Sequence, residues 1–113
     1  MPKYHICLDV GGTKVLGAIF NENDEIIFRL KKRSNAKGSA SADVEAVIIS
    51  VVEEMIRDSG IAREDVKAIA SCAPGVIDQE HGIVLFTPNL PWRDYDIASA
   101  MKERFGVPFY IGN

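Results

Sequence analysis

Apolar side chains recur at every second position from Tyr4 to Val10, where Tyr4, Ile6, Leu8 and Val10 alternate with His5, Cys7 and Asp9. A period of two predicts a strand, and the apolar or small residues at the centre of both faces place it inside a sheet. Residues 15–21 are β-branched, aromatic or small and predict a second strand. The polar cluster Asn21-Glu22-Asn23-Asp24 predicts a turn, and residues 25–33 a third strand with Ile26, Phe28 and Leu30 on one face. The period then changes. Val44, Val47, Ile48, Val51, Val52 and Met55 fall at helical spacing, so residues 42–59 predict an amphipathic helix stopped by Gly60. After a charged connector over 61–67, the small residues 68–73 predict a fourth strand, broken by Pro74-Gly75. Residues 76–78 and 83–86 flank Gln79-Glu80-His81-Gly82 and predict a hairpin. A stretch stiffened by Pro88 and Pro91 leads into a second helix, from Asp94 or Asp96 to Phe105 with Gly106 past its end, and residues 107–111 predict a last strand.

Three hairpin-linked strands should be antiparallel neighbours. The last two long strands return through helical crossovers and should run parallel to the first. The expected fold is α/β: a ribonuclease-H-like, actin-like ATPase half-domain with a mixed five-stranded sheet and helices. A chain of 113 residues bounds this to a single domain. Hydrophobic content of 47% and charged content of 26% are those of a globular protein and exclude disorder. A net charge of −3 gives no electrostatic case for nucleic acid or an anionic membrane. No run approaches a membrane span, and no leader segment is visible. Lys31-Lys32-Arg33 reads as the guarded edge of a sheet rather than a nucleic-acid patch. Cys7 and Cys72 have neither zinc nor redox spacing. Two thiols in a reducing cytoplasm are expected, with a disulfide between neighbouring strands as the open alternative.

The chemistry concentrates in Asp9-Val10-Gly11-Gly12-Thr13-Lys14, between the first two strands. Adjacent glycines let backbone amides approach a ligand. A hydroxyl, an ammonium and a carboxylate beside them complete what a magnesium-bound polyphosphate needs. The order is not that of a Walker loop, where lysine precedes the hydroxyl and a helix follows; here a strand follows. Gly-Gly is also a common hairpin turn, so this stretch alone leaves a phosphate cradle and an ordinary turn both open.

Further motifs narrow the reading. Asp9-Val10-Gly11-Gly12-Thr13-Lys14, Ala73-Pro74-Gly75-Val76-Ile77-Asp78, the run Gly82-Ile83-Val84-Leu85-Phe86-Thr87-Pro88-Asn89-Leu90-Pro91-Trp92 and the terminal Phe109-Tyr110-Ile111-Gly112-Asn113 together resemble the ROK family of repressors and sugar kinases, over the whole chain. The resemblance implies the N-terminal domain of an ATP-dependent hexose kinase of the glucokinase type. Gly11, Gly12, Thr13 and Lys14 would then hold ATP phosphates, and Asp9 would orient magnesium through water. Gly75, Asn89 and Asn113 would contact the sugar, and Asp78 would hold its hairpin together. The family's catalytic aspartate follows the residue matching Asn113, so no catalytic base is expected in this chain, and catalysis by it alone is not expected. The family's zinc site is not matched here either. Expected partners are a hexose and ATP, with neither nucleic acid nor membrane. The alternatives are a self-associating half-domain, homodimeric through the face its other half would cover, and the sugar-binding part of a repressor. Cys72 stands where the family often has a smaller residue, which would narrow the approach to the pocket.

Overall fold

The computed structural model describes residues 2–34, 41–88 and 90–113. Its sheet is built around β1 (Tyr4–Val10), whose alternation places Ile6, Leu8 and Val10 in the core. Strand β2 (Lys14–Phe20) folds back antiparallel on β1, and β3 (Ile26–Arg33) antiparallel on β2. Helix α1 (Ser41–Ser59) crosses over, and after a 3₁₀ turn at Arg63–Asp65 the chain enters β4 (Val66–Cys72), parallel to β1. Strands β5 (Val76–Asp78), β6 (Ile83–Phe86) and β7 (Arg93–Asp96) form a separate antiparallel sheet. Helix α2 (Ile97–Phe105) then leads to β8 (Phe109–Gly112), parallel to β4. The main sheet has the order β3-β2-β1-β4-β8. The expected mixed five-stranded α/β sheet is present, with the expected strand directions.

Both helices lie on one face. Residues that pair across strands share a face, so Ile6, Ile19, Ile69 and Phe109 form one row, and Leu8, Gly17, Ser71 and Ile111 the next. Val44, Ile48, Val51, Val52 and Met55 of α1 are fully buried over them. Each such aliphatic side chain contributes about 1.5–3 kcal/mol by leaving water. Glu53 of α1 ties the two helices together, meeting Arg104 of α2 at 3.4 Å and also pairing with Arg63. The Arg63 guanidinium in turn lies 5.6 Å from the Phe105 ring centroid. No described helix covers the opposite face.

The sequence pattern missed two details and left a third, the start of the second helix, open between Asp94 and Asp96. Residues 93–96 pair with β6 as β7, because Arg93-Asp94-Tyr95-Asp96 carries no apolar alternation and is a strand only through its partner. The second helix starts after Asp96, whose carboxylate accepts from the Ser99 amide at 3.0 Å, and not at Asp94, which has a positive φ of 49°. Ile26 is exposed and does not share a face with Phe28 and Leu30. A register shift pairs it with Phe20 while Phe28 pairs with Ile19, which turns it to the other side. Tyr95 joins the small sheet to α1: its ring stacks on Trp92 at 5.2 Å and its hydroxyl donates to Glu45. Burial and the Glu45 carboxylate raise the Tyr95 pKa well above the usual phenol range.

Gly17 sets how closely α1 approaches the sheet. A Cβ there would lie 2.6 Å from Met55 Cε and 2.9 Å from Val51 Cγ1. Replacing Gly17 by Ala should lower stability by about 1–3 kcal/mol through overpacking. Chemical denaturation of the two proteins, read at the urea midpoint, checks this.

Candidate functional site

Strands β1, β4 and β8 run parallel, so all three end at the same edge of the sheet. Ligands of open α/β sheets bind outside such carboxyl ends. The motifs singled out in the sequence lie there: Asp9 near the end of β1 with Gly11 to Thr13 after it and Lys14 opening β2, Pro74-Gly75 after β4, and Asn113 after β8.

The first motif is a tight tip. Gly11 N–H donates to the Lys14 carbonyl at 3.0 Å, and the Thr13 carbonyl accepts from Ser34 N–H at 2.9 Å, which anchors the tip to the end of β3. The four described glycines with positive φ are Gly60, Gly75, Gly82 and Gly106, so neither Gly11 nor Gly12 is required there by a left-handed backbone. A Cβ on Gly11 would meet the Lys14 carbonyl at 3.4 Å, an ordinary contact. Turn geometry is therefore not what holds glycine at these two positions. Asp9, Thr13 and Lys14 are exposed around them. The Ser34 hydroxyl beside the tip is buried and has no partner among the described residues.

Asp9 sits on the uncovered face, opposite Cys72 in register, and its Oδ1 accepts from Cys72 Sγ at 3.4 Å. Both cysteines are free. They lie two register positions apart on adjacent strands, since Cys7 faces Ala70 and Cys72 faces Asp9. Burial first, and then the hydrogen bond and charge of Asp9, raise the Cys72 pKa above the ordinary thiol value; burial alone raises that of Cys7. Among the described residues no three His, Cys, Asp or Glu side chains cluster for a metal. Asp9 is thus a lone hard carboxylate, which suits magnesium held through water and ligand phosphates rather than an all-protein cage.

The second and third motifs touch. Asn113 Nδ2 donates to the Gly75 carbonyl. Gly75 has φ +122°, and a Cβ there would come within 2.1 Å of the Phe86 carbonyl, so only glycine fits. The Ala73 amide donates to the Gly112 carbonyl at 3.0 Å, drawing the two strand ends together. Asn89 lies outside the described residues. On either side of it, the Thr87 hydroxyl donates to the Leu90 carbonyl at 3.1 Å. Asp78 accepts from His81 N–H at 3.2 Å and meets His81 Nδ1 at 2.8 Å, holding its hairpin as expected; these bonds lower its pKa.

Sequence reasoning did not foresee the Cys72–Asp9 contact. It also did not foresee that Lys14, Arg29, Lys31 and Arg33 share the uncovered face. The second was readable from the alternation of cations along 29–33.

The ROK family profile matches residues 5–113. The xylose repressor of Bacillus spizizenii is 31% identical over 97% of this chain and 28% of its own length. The glucokinase of Thermotoga maritima is 27% identical over 100% of this chain and 34% of its own. Among solved structures, a ROK family glucokinase from Streptomyces griseus in complex with glucose and AMPPNP superposes with a TM-score of 0.83 at 25% identity, covering 97% of this chain and 33% of that one. The chain therefore spans about a third or less of the length of these proteins.

Removing the Asp9 charge should free Cys72 to ionise. At pH 8, where the thiol is still mostly protonated, Asp9→Asn should speed alkylation of Cys72 by up to about fivefold, the worth of a charge at this distance in high dielectric. Peptide-resolved mass spectrometry with iodoacetamide reads the rate, and Cys7 serves as the internal reference.

Proposed function

The chain belongs to the ROK family, and we propose that it is the N-terminal domain of an ATP-dependent hexose kinase, supplying half of the nucleotide site and part of the sugar site. The observation that carries this is the convergence of the Asp9–Lys14 tip, Gly75 and Asn113 at the carboxyl ends of three parallel strands. In this reading the amides of Gly11 and Gly12 and the Thr13 hydroxyl bind phosphate oxygens, and Lys14 adds charge at the rim. Asp9 orients the water shell of a magnesium ion, which would offset charge on the phosphates. Asn113 already spends one N–H on the Gly75 carbonyl, leaving its Oδ1 to accept from a sugar hydroxyl. Asn89 supplies a second amide. The base that takes the proton of the attacking hydroxyl is not among these groups. Glucose is the first sugar to test. The domain works in the cytoplasm, where ATP and free thiols are both at hand.

Titration of the 113-residue chain with ATP–magnesium should shift the amide resonances of Gly11 and Gly12 weakly, without saturation at micromolar ATP. Glucose should shift Asn113. Gly11→Ala should keep the fold, because its Cβ meets nothing closer than 3.4 Å, and should weaken the ATP response severalfold. A silent tip with a sugar response at Asn113 favours the second reading, the sugar-sensing part of a repressor, which the similarity to xylose repressors supports.

A further alternative is self-association. The uncovered face exposes Leu16, with Cys7, Ala18 and Phe20 half-buried beside it, and Tyr110 is 61% exposed on the edge strand β8. Apolar surface of this kind drives pairing. Light scattering should give a mass that rises from monomer towards dimer with concentration, and a constant monomeric mass excludes this alternative.

A further inference from the structure

Building on the phosphate reading of the Asp9–Lys14 tip, we infer that Ser34 is a positioning residue of the nucleotide site and acts through the hydroxyl of Thr13. The basis is a buried hydroxyl without a partner. Among the described residues, the buried hydroxyl side chains are Ser34, Ser71 and Thr87. Ser71 donates to the Cys72 carbonyl at 3.4 Å and Thr87 to the Leu90 carbonyl at 3.1 Å. Ser34 is 0% exposed, and its Oγ has no partner among the described residues. A hydroxyl taken out of water without a hydrogen bond destabilises the folded state. Alanine would keep the packing and remove that penalty. The other unpartnered buried atom among the described residues is Trp92 Nε1. It belongs to a large ring stacked on Tyr95, so its burial has a cause that the Ser34 hydroxyl lacks.

The place of Ser34 in the fold supplies one. Strand β3 ends at Arg33, which lies opposite Lys14 of β2. The ladder runs one residue further, because the Ser34 amide donates to the Thr13 carbonyl at 2.9 Å. Ser34 and Thr13 therefore stand opposite each other. The Cβ atoms of such a pair are about 4.5–5.5 Å apart, so rotation about χ1 brings two hydroxyls into bonding range. Thr13 is exposed, and its hydroxyl has no partner among the described residues. One hydroxyl of the pair can reach a ligand, and the other stands behind it.

A hydroxyl donates one hydrogen bond and accepts two. In the free protein the Thr13 hydroxyl turns to water and Ser34 is left alone. When Thr13 donates to a phosphate oxygen, its lone pairs are open to Ser34. The chain of bonds then runs from Ser34 Oγ–H to Thr13 Oγ1, and from Thr13 Oγ1–H to the phosphate. Each bond polarises the next, and the anionic end strengthens both. Ser34 fixes the Thr13 rotamer on binding and touches no ligand atom itself.

The test is a double-mutant cycle, read by resonance titration of the 113-residue chain with ATP–magnesium. The readout is the initial slope of the Gly11 and Gly12 amide shifts against concentration, which needs no saturation. Ser34→Ala should lower this slope about threefold to tenfold, the effect of one hydrogen bond, while the urea midpoint stays or rises. In a Thr13→Val background the same exchange should change the slope by less than about twofold, within the additivity limit of the cycle. An unchanged slope in Ser34→Ala overturns the inference. So does an equal loss with and without the Thr13 hydroxyl, and so does a lowered urea midpoint, which would mean that Ser34 is already bonded in the free protein. Each of these leaves the phosphate reading of the tip intact. If the unsubstituted protein shows no shift at Gly11 and Gly12, the phosphate reading itself fails, and this inference with it.

Discussion

The fold depends on α1 lying flat on the sheet, and that contact depends on the absence of a side chain at Gly17. Met55 and Val51 occupy the space a Cβ would take. The rest of the buried stripe of α1 shares one core with Ile6, Leu8, Val10 and Ile19. Because α2 joins α1 on the same side, through Glu53 and its two arginine partners, the core is one-sided. The other face keeps its small and charged residues in water. Sheets with parallel strands are ordinarily covered on both faces, so the uncovered face is the physical origin of the self-association alternative.

The site depends on direction rather than on packing. A strand pair joined by a hairpin must be antiparallel, whereas β4 and β8 arrive through helices and can run with β1. Three strand ends and their loops therefore open at one edge. Short hydrogen bonds then fix what direction alone leaves loose: backbone bonds from Ser34 to Thr13 and from Ala73 to Gly112, and the Asn113 side chain to the Gly75 carbonyl. The groups offered to a ligand are mostly backbone amides and short polar side chains. Such groups fit phosphate and sugar oxygens, and they need rigid positions because none can reach far.

Strong periodicity made most elements legible. The alternation of β1 gave its bounds, and the helical stripe of α1 gave that helix to within a residue. The Asp96 and Gly106 caps bracket α2. The strand β7 and the orientation of Ile26 were not legible, because each is decided by a partner strand: β7 by pairing with β6, Ile26 by a register shift against Phe20. Asn89 carries an expected role but lies outside the described residues.

By itself, the sequence determined most elements, their order, the likeness to the ROK family, and which residues are candidates for chemistry, since these follow from local periodicity and residue type. Only the tertiary structure decided which of those residues meet. Asp9 and Cys72 are 63 positions apart and share a hydrogen bond, and Asn113 reaches Gly75 across 38. Lys31 and Lys32 are adjacent in sequence, yet Lys31 stays on the uncovered face while Lys32 is neutralised by Glu54 on the other. The physical reason is register: side-chain alternation says that neighbours diverge, but only the pairing of strands says which side faces water.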